Sequence, residues 1–497
     1  MKIALIGPKW NKMVNSYPAL GLGYLAAMVE RRGHECAIFD MGLRSHTSVE
    51  DEMEKVIAWG PDVVAETSMT TSWHSIEVAN RIIKDRLGVP IIAGGPHATT
   101  LPVVTAQDPT VDFVVYGEGE ETFAELIDSL DEGRTDFEKV AGLYFQKDGQ
   151  GEVIQTAPRM LIDDLDQVPF PARHLFELDQ YPLYNPNGER MLTVLSSRGC
   201  PYACSFCFKG IVGRTYRQRT PQNIAAEVVQ IIEKYQVYNI YFIDDLFTID
   251  VRRLEQIMDY FIEHELPVKW QCLARVDRVT EPLLRKMYRA GCREIHFGIE
   301  SGNEKILKQT AKHINLSQVR DAVQWTEDAG IRAKGYFILG LPGDTEETME
   351  ETIEFAASLA LSEAMFSIAT PMPGTKLWDE LVKKRPETQY STDWAKSYYY
   401  NSYTSSIAPF MNVSEVSDET LANMAIKARE RFLEEKRRRR YLAYFGREWG
   451  DTLYRISQNE AMRTVGRAAI KVGVFGGFAH LKRQGNKGLW ENSDITQ

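Results

Sequence analysis

Residues 196–210 read SSRGCPYACSFCFKG and hold three of the six cysteines in a chain of 497 residues. The three are Cys200, Cys204 and Cys207. A structural zinc ion usually takes four ligands from two such clusters, and the sequence contains no second cluster. A disulfide would use two of these cysteines and leave the third over. An iron–sulfur cluster held by three thiolates would keep one iron open for a substrate or cofactor, so this alternative accounts for the missing fourth ligand.

The cysteine stretch opens a repeating pattern of strands and helices in the middle of the chain. Short runs rich in β-branched and aromatic residues alternate with segments of helical periodicity. This pattern predicts a full or partial barrel whose site lies at the carboxyl ends of its strands, and the cysteines follow the first strand. The predicted strands are 193–200, 238–250, 268–277, 292–301, 332–345 and 363–375, and the predicted helices are 221–235, 251–264, 280–290, 316–329 and 346–360.

The first third of the chain also alternates strand and helix. Continuous apolar runs ending in turn residues are typical of buried parallel strands, so we predict an open parallel sheet with helices on both faces. A ligand of such a sheet binds beyond the carboxyl ends of the strands. No GxGxxG or Walker A sequence follows a strand, which disfavours a dinucleotide or a nucleoside triphosphate. The predicted strands are 2–7, 34–40, 62–68, 89–95 and 112–123, and the predicted helices are 20–32, 48–59, 75–87 and 121–131.

Small and hydroxyl-bearing residues follow three of these strands. Gly94 and Gly95 lack Cβ atoms, so a bulky planar ligand can approach the backbone there. A glycine pair at a strand end also occurs in ordinary turns. Here the pair is accompanied by AETSMTTSW (65–73) and YGEGE (116–120), and the combination favours a ligand site over a simple turn.

The CxxxCxxC spacing, with the aromatic Phe206 directly before Cys207, resembles the signature of radical S-adenosylmethionine enzymes over roughly residues 185–385. The resemblance implies a 4Fe-4S cluster whose open iron is chelated by the methionine part of S-adenosylmethionine. Reductive cleavage of that cofactor would give a 5′-deoxyadenosyl radical, which takes a hydrogen atom from the substrate. The resemblance also implies that the predicted barrel is a partial, TIM-like (β/α)6 barrel.

The same resemblance assigns S-adenosylmethionine contacts to the loops after the barrel strands. Two aspartates would hold the amino group, an arginine the carboxylate, and a Glu-Ser pair the ribose hydroxyls. Taken singly, the aspartates are also typical of a helix cap and the arginine of a surface ion pair. The assigned residues are Phe206, Asp244, Asp245, Arg275, Glu300, Ser301 and Leu341, the last within GLPG (340–343).

The first domain resembles the Rossmann-like cobalamin-binding domain over roughly residues 1–135, through its glycine pair, its TSM stretch and YGEGEETF (116–123). It departs from the DxHxxG pattern of the methionine-synthase type, because Pro18 stands where the cobalt-ligating histidine would fall. We therefore expect cobalt with no histidine below it; Met69, Thr70, a water or nothing would face that side. The expected cobalamin contacts are Pro18, Thr67, Ser68, Met69, Thr70, Gly94, Gly95, Gly117, Glu118 and Gly119.

A cobalamin domain followed by this barrel resembles the cobalamin-dependent radical S-adenosylmethionine class. The class includes methyltransferases and the anaerobic magnesium-protoporphyrin ester cyclase. It implies hydrogen abstraction followed by methyl transfer from methylcobalamin to an unactivated carbon. Cyclisation or rearrangement of a porphyrin- or lipid-like substrate is the alternative within enzymes. A cobalamin or redox sensor is the alternative outside them, but a sensor has no need of the late barrel loops.

Composition and charge restrict the cellular setting. A net charge of −11 argues against bulk nucleic-acid binding, and Cys36, Cys272 and Cys292 are scattered, so we expect a reducing cytoplasm. The N-terminus is not typical of a signal peptide, and no apolar run reaches the length of a membrane span. The expected partners are a small-molecule substrate and an external electron donor of the flavodoxin or ferredoxin type.

The last part of the chain loses the strand–helix alternation. We predict a linker at 136–184, the barrel at 185–385 and a mainly helical domain at 386–497, with helices near 414–445. The aromatic stretch SYYYNSY (397–403) would floor the substrate cavity or pack a helical cap onto the barrel. A basic and apolar segment at 464–484 is typical of an element packed on the acidic body of the protein, and peripheral contact with an anionic membrane is the alternative hypothesis.

Overall fold

A computed structural model of the protein describes residues 1–10, 15–44, 46–147, 151–390 and 411–458. The described chain forms two sheets flanked by helices, followed by one long helix. The aromatic stretch 397–403 and the basic segment 464–484 lie outside the described residues. None of the helices in the described ranges is long and apolar enough to cross a membrane.

The first sheet has seven strands in the order β2-β1-β3-β4-β5-β6-β7. Strands β1 to β5 are parallel, whereas β6 and β7 are added antiparallel. Its strands are β1 (Lys2–Gly7), β2 (Glu35–Asp40), β3 (Val63–Thr67), β4 (Ile91–Gly94), β5 (Phe113–Val115), β6 (Leu143–Gln146) and β7 (Val153–Gln155). Its helices are α1 (Leu20–Glu30), α2 (Val49–Trp59), α3 (Trp73–Arg86), α4 (Gly95–Thr100), α5 (Pro102–Ala106) and α6 (Glu120–Asp131).

The apolar run of β1 is buried on both faces of this sheet. Ile3 and Leu5 pack into a core shared with α1 and α6, whereas Ala4 and Ile6 pack into a second core with α2 and α3. Successive side chains of a strand point to opposite faces, so a central strand between two helical layers must be apolar throughout. The continuous apolar pattern therefore indicates an interior strand, and β1 is indeed paired on both sides, with β2 and β3.

The second sheet has six strands, all parallel, in the order β15-β14-β13-β12-β11-β8. In the described chain its two edge strands do not pair with each other, so the barrel is open, as predicted. Its strands are β8 (Met191–Val194), β11 (Asn239–Phe242), β12 (Lys269–Ala274), β13 (Cys292–Glu300), β14 (Arg332–Leu339) and β15 (Glu363–Ile368), and a short antiparallel ribbon, β9 (Ser197–Arg198) and β10 (Arg217–Gln218), follows β8.

Local sequence signals begin the helices between these strands. The Thr220 hydroxyl accepts a hydrogen bond from the amide of Asn223, and Pro221 occupies the first helical position of α7. The predicted barrel helices are all present, with ends within about two residues of those expected. The helices of this half are α7 (Pro221–Tyr235), α8 (Val251–Glu263), α9 (Glu281–Arg289), α10 (Glu304–Gln309), α11 (Leu316–Asp328), α12 (Glu346–Ser358) and α13 (Lys376–Lys384).

Among the features that were not predicted, two concern the first sheet. The segment 136–184, expected as a linker, contains β6 and β7, so the first sheet extends to Gln155. The glycine pair does not form an open turn, because Gly95 begins the short helix α4.

The C-terminal helix α14 (Asp418–Ser457) runs further than the predicted 414–445 and is kinked at Gly446, whose φ is 75°. Leu421, Ala428 and Phe432 on α14 join the barrel core. Two side chains of the basic run at 436–440 have partners within the protein. Arg438 pairs with Asp451, and Arg439 donates a hydrogen bond to the carbonyl of Leu359.

Candidate functional site

The three cysteines lie in the loop between β9 and β10, at the carboxyl end of the barrel. Cys200 is buried, and Cys204 and Cys207 are half-buried. Backbone hydrogen bonds fix the loop over the barrel: the Ser205 amide donates to the carbonyl of Thr310 at 3.0 Å, and the Leu377 amide donates to the carbonyl of Ser205 at 2.9 Å. The sequence prediction that these thiols gather at the barrel mouth is consistent with this position.

The chemistry of these donors fits an iron–sulfur cluster. In the part of the chain that the structure describes, no three His, Cys, Asp or Glu side chains are close enough together to hold a single metal ion. A four-iron cluster spaces its thiolate ligands further apart than a single ion does, and cysteine thiolates are its usual ligands. Burial raises the pKa of the Cys204 and Cys207 thiols, a cost that a cationic iron centre would offset.

Phe206 and Leu341, both expected at S-adenosylmethionine, lie in one small apolar cluster. Leu341 is fully buried with Ile306 and Ala369, and Phe206 packs against them. Neighbouring Asp344 accepts a hydrogen bond from the Leu341 amide at 2.9 Å and holds the GLPG turn in place. The structure therefore brings together an aromatic from the cysteine loop and the loop after β14.

The two expected aspartates have different environments. Asp244 is fully buried and accepts hydrogen bonds from the amide and hydroxyl of Ser196 and from the hydroxyl of Ser197. Burial raises the pKa of Asp244 although Arg253 and these donors oppose the shift. Its carboxylate thus ties the end of β8 to β11, whereas Asp245 is exposed and is the aspartate available to a ligand.

Arg275 and Glu300 are both engaged inside the protein. Arg275 pairs with Asp277 at 2.8 Å and lies 3.8 Å over the ring of Tyr202. Glu300 has a φ of 70°, unusual for a residue with a side chain, and pairs at 2.8 Å with the buried Lys312. Lys312 was not predicted as a site residue, because no local sequence pattern indicates which loop lysine becomes buried in the folded chain.

Ser301 follows Glu300 and is buried. Its hydroxyl lies 3.1 Å from that of Thr352 and accepts from the Asn303 amide at 3.1 Å. These bonds fix the turn into α10. Ser301 therefore orients the loop after β13, and an additional contact with ribose stays a prediction.

The two glycines at the edge of the first sheet differ in the space around them. A Cβ on Gly95 would lie 2.2 Å from the Thr67 hydroxyl, and its φ is 83°. A Cβ on Gly94 would meet only the Glu66 carbonyl, at an ordinary 3.7 Å, and that of Val115 at 4.0 Å. Gly95 is thus required by the fold, whereas Gly94 leaves room at the backbone.

Unpartnered polar groups lie at this same edge. In the described chain, the Ser68 hydroxyl and both carboxylate oxygens of Glu66 are buried without a hydrogen-bond partner. Burial raises the pKa of Glu66 well above its ordinary value. Buried polar atoms normally find a partner, so an open glycine beside orphaned polar atoms fits a large ligand with polar groups, as cobalamin has.

The other expected cobalamin contacts surround this edge. Met69 is 46% exposed, and the Thr70 hydroxyl lies 3.3 Å from Nδ1 of His97. Pro18 is buried just before α1. The face of cobalt that these residues meet stays a prediction.

The YGEGE stretch joins the two domains. Glu118 accepts hydrogen bonds from Arg217 at 2.8 Å, Arg198 at 2.9 Å and the Ile162 amide at 3.0 Å. Burial would raise the pKa of Glu118, but the two guanidinium groups hold it below its usual value. The Glu118 carboxylate therefore binds the base of the cysteine loop, a role that the sequence did not indicate.

The flanking glycines support this junction. The Gly117 amide donates to the Thr99 hydroxyl at 3.1 Å, and a Cβ on Gly117 would lie 3.8 Å from the carbonyl of Ile211 in the cysteine loop. Gly119 is the N-cap of α6, and a Cβ at this position would lie 3.4 Å from the side chain of Leu25. A cavity of about 450 Å³ elsewhere in the molecule lies at the opposite, amino-terminal end of the barrel, lined in part by Arg190 and Lys234.

Comparison with known protein families identifies two domains in this order. The B12 binding domain matches residues 11–127, and the radical SAM superfamily matches residues 194–356. These ranges contain the glycine-rich sheet edge and the cysteine loop, respectively.

Two relatives match along most of their length. An uncharacterized methyltransferase of Pyrococcus horikoshii is 33% identical over 86% of this chain and 91% of the relative. The anaerobic magnesium-protoporphyrin IX monomethyl ester cyclase of Rubrivivax gelatinosus is 28% identical over 89% of this chain and 81% of the relative. Among solved structures, the radical S-adenosylmethionine methyltransferase TsrM of Kitasatospora setae, with cobalamin and a 4Fe-4S cluster bound, has a TM-score of 0.64 at 17% identity, covering 77% of this chain and 75% of TsrM, which is a likeness of fold.

Proposed function

Since this chain belongs to the cobalamin-dependent radical S-adenosylmethionine enzymes, we propose that it transfers a methyl group to an unactivated carbon of a small-molecule substrate. One observation carries the proposal furthest. The loop of Cys200, Cys204 and Cys207 is fastened through Arg198 and Arg217 to Glu118, at the glycine-rich edge of the first sheet. Hydrogen abstraction and methyl donation need two cofactors at a fixed separation, and this ion-pair cluster supports such a separation.

Each group of residues has a separate task in this proposal. When bound, the cluster and S-adenosylmethionine supply a carbon-centred radical that removes a hydrogen atom, and cobalamin supplies the methyl group. The three thiolates hold the cluster, and Phe206 with Leu341 form an apolar wall beside the reacting cofactor. Ser68 and Gly94 accommodate the cobalamin at the sheet edge. The apolar wall excludes water, which would otherwise compete for polar contacts in the site.

The pairs around Lys312 adapt the barrel mouth to a charged cofactor. Glu300 with Lys312, and Arg275 with Asp277, are buried or nearly buried pairs. A cofactor carboxylate added beside Arg275 and an amino group added beside Glu300 would each meet an opposite charge, while the existing pairs with Asp277 and Lys312 remain. Asp245, exposed beside them along the same edge, is the side chain we assign to the amino group.

Cyclisation without methylation is the second candidate, favoured by the similarity to the Rubrivivax gelatinosus cyclase. A single experiment separates the candidates. The full-length chain is reconstituted anaerobically with iron, sulfide and hydroxocobalamin, then incubated with reductant, methyl-labelled S-adenosylmethionine and a metabolite extract. Methylation gives 5′-deoxyadenosine together with a labelled product. Cyclisation gives 5′-deoxyadenosine and an unlabelled product, and a sensor gives neither.

The partners beyond the substrate follow from the same chemistry. Reductive cleavage consumes one electron at a time, so we infer an external one-electron donor of the flavodoxin or ferredoxin type.

We also propose that the segment 464–484, which lies outside the described residues, contacts anionic membranes through its basic residues.

A further inference from the structure

The inner wall of the barrel carries a connected group of polar side chains. Along β14, residues 333, 335, 337 and 339 are buried, while the residues between them are more accessible. The buried set packs outward into the helical core, so the alternate set faces the barrel interior. By the same alternation, Tyr241 of β11, Glu294 and His296 of β13 and Tyr336 of β14 face inward.

His296 is held in one orientation from one side. Its Nε2 lies 2.7 Å from a carboxylate oxygen of Glu294, and both side chains are buried. The other oxygen of Glu294 pairs with Arg332 at 3.2 Å. Burial would raise the pKa of Glu294, but His296, Arg332 and Lys334 together hold it low, so the carboxylate is charged and accepts from Nε2.

In the neutral imidazole with its proton on Nε2, Nδ1 of His296 is the acceptor, and two hydroxyl groups are directed at it. The Tyr336 hydroxyl lies 3.0 Å from Nδ1, and the Tyr241 hydroxyl lies 3.4 Å away. An imidazole nitrogen has one lone pair, so it satisfies one hydroxyl proton at a time. Tyr336 is the nearer donor. Among the described residues, no second acceptor is within hydrogen-bond reach of the Tyr241 hydroxyl, so that donor is poorly used within the protein.

Tyr241 lies where the two domains meet. The ring of Tyr17, from the loop between β1 and α1, meets the ring of Tyr241 edge-on with centroids 6.5 Å apart. Tyr17 is 44% exposed and precedes Pro18, one of the residues expected near cobalamin. Burial and the neighbouring Tyr336 and Tyr17 raise the pKa of Tyr241 well above its ordinary value, so its hydroxyl keeps its proton.

We propose that Tyr241, supported by His296, Glu294 and Tyr336, donates a hydrogen bond to a carbonyl or carboxylate oxygen of the substrate. This inference rests on the proposed function and narrows its substrate class to molecules with such an oxygen. Tyr241 is then a binding residue, and His296 and Glu294 are positioning residues. The Tyr241 hydroxyl is part-buried and meets Nδ1 of His296 only through the long 3.4 Å contact, so a better-placed acceptor on a ligand in the barrel interior can compete for its proton.

The test uses benzoate and acetophenone as oxygen-acceptor probes and ethylbenzene as a probe without an acceptor. Binding to the anaerobic, cofactor-loaded full-length chain is measured by calorimetry, and tyrosine labelled with ¹³C at Cζ reports hydroxyl hydrogen bonding by NMR. We expect benzoate or acetophenone to bind saturably and to shift one tyrosine resonance that is missing in Tyr241→Phe. That variant should bind the probe about tenfold more weakly, the loss expected for one hydrogen bond.

Two further variants distinguish binding from structure. Tyr238→Phe makes the same change at an exposed tyrosine before β11 and should bind as the wild type does. His296→Leu keeps the Tyr241 hydroxyl but removes its orientation, so the probe-induced shift should shrink even if thermal stability is also lowered. The proposal is overturned if wild type binds neither acceptor probe, if ethylbenzene shifts the same resonance, or if Tyr241→Phe binds within about twofold of wild type. Failure of the proposed function would appear separately, as an absence of S-adenosylmethionine cleavage by the wild type.

Discussion

The guanidinium of Arg217 donates two hydrogen bonds, each of 2.8 Å, to the carboxylate of Glu118, 99 residues earlier in the chain. Glu118 belongs to the first domain and Arg217 to the ribbon that ends the cysteine loop. Both side chains are buried, and Arg198 adds a further bond to the same carboxylate. This pairing fixes the position of the cysteine loop relative to the sheet edge that we assign to cobalamin.

Replacing Glu118 by Gln should destabilise this junction strongly. The change leaves Arg217 buried without its anion, whereas Arg198 keeps its pair with Glu120. Breaking a buried ion pair in this way typically costs about 3–5 kcal/mol. Urea unfolding of the full-length chain measures the loss. Glu121→Gln is the control, because Glu121 is half exposed and its 3.5 Å pair with Arg159 should contribute at most about 1 kcal/mol. Equal effects of the two changes would contradict the assigned role of Glu118.

Replacement of any one of Cys200, Cys204 and Cys207 by Ala should abolish the oxygen-sensitive iron–sulfur chromophore and S-adenosylmethionine cleavage. In the proposed assignment each thiolate binds one iron, so removing one thiol leaves that iron without its protein ligand. Iron and sulfide content after anaerobic reconstitution gives the readout. Cys36→Ala changes a buried cysteine of β2, distant from the loop in sequence, and should retain a full cluster. A complete cluster in Cys200→Ala would refute the ligand assignment.

Changing Gly94 to Val should weaken cobalamin binding while leaving the apoprotein folded. The protein itself makes only ordinary contacts with a Cβ at this position, so the added side chain would obstruct the ligand. Gly95→Val should instead lower stability without any ligand, because its Cβ would collide with the Thr67 hydroxyl. Binding of hydroxocobalamin and thermal unfolding of the apoprotein are measured for both variants. If folded Gly94→Val binds hydroxocobalamin as well as the wild type does, this sheet edge is not the cobalamin site.

The stability of the first domain should fall as pH is lowered from 6.5 towards 4. His97 is buried and stacked on Trp73, and burial lowers its pKa from 6.5 to about 4. In this range the unfolded chain binds a proton that the folded state excludes. The free energy of unfolding therefore decreases, with a slope approaching about 1.4 kcal/mol per pH unit, and this contribution ends below the folded-state pKa.

Urea unfolding of the apoprotein at several pH values measures that slope. His97→Phe retains an aromatic ring against Trp73 without a titrating group. The change of its unfolding free energy with pH should therefore be smaller by the contribution of one proton. His74→Phe, at an exposed position on α3, should retain the wild-type slope. An unchanged slope in His97→Phe would show that another group is responsible.

Deletion of residues 464–497 should reduce binding to anionic vesicles. The segment contains Arg467, Lys471, Lys482 and Arg483 beside Val474, Phe475 and Phe478. Each basic residue near an anionic surface contributes about 1 kcal/mol, and salt screens that attraction. Flotation with phosphatidylglycerol vesicles at low and high salt measures binding, with phosphatidylcholine vesicles and the double change Lys482→Gln and Arg483→Gln as controls. An intact chain that stays unbound at low salt would eliminate the membrane contact.

Local patterns in the sequence were sufficient to predict most of the secondary structure. The apolar run of β1, the Thr220–Pro221 start of α7 and the spacing of Cys200, Cys204 and Cys207 are properties of a few neighbouring residues. Strands β6 and β7 were missed because they are short, antiparallel additions stabilised by pairing with β5, and their own sequence carries little periodicity.

The roles of the charged residues at the site were harder to predict. Asp244 and Asp245 are adjacent in sequence, yet one is fully bonded to Ser196 and Ser197 while the other is exposed. Glu118, which the sequence placed near cobalamin, binds two arginines, a role that the sequence did not indicate. A carboxylate has the same chemistry in either role, so only the groups that surround it decide which role it has.

The sequence by itself therefore determined the two β–α domains, their order and the cluster chemistry of the cysteine loop, since these depend on periodicity and on residue type at fixed spacing. Only the tertiary structure decided that Glu118 meets Arg217, that Lys312 meets Glu300, and that Tyr17 meets Tyr241. Each of these contacts joins segments that are brought together by the packing of different strands and loops. The physical reason is that side-chain partners are selected by distance and burial in the folded chain, and neither quantity can be read from residues taken a few at a time.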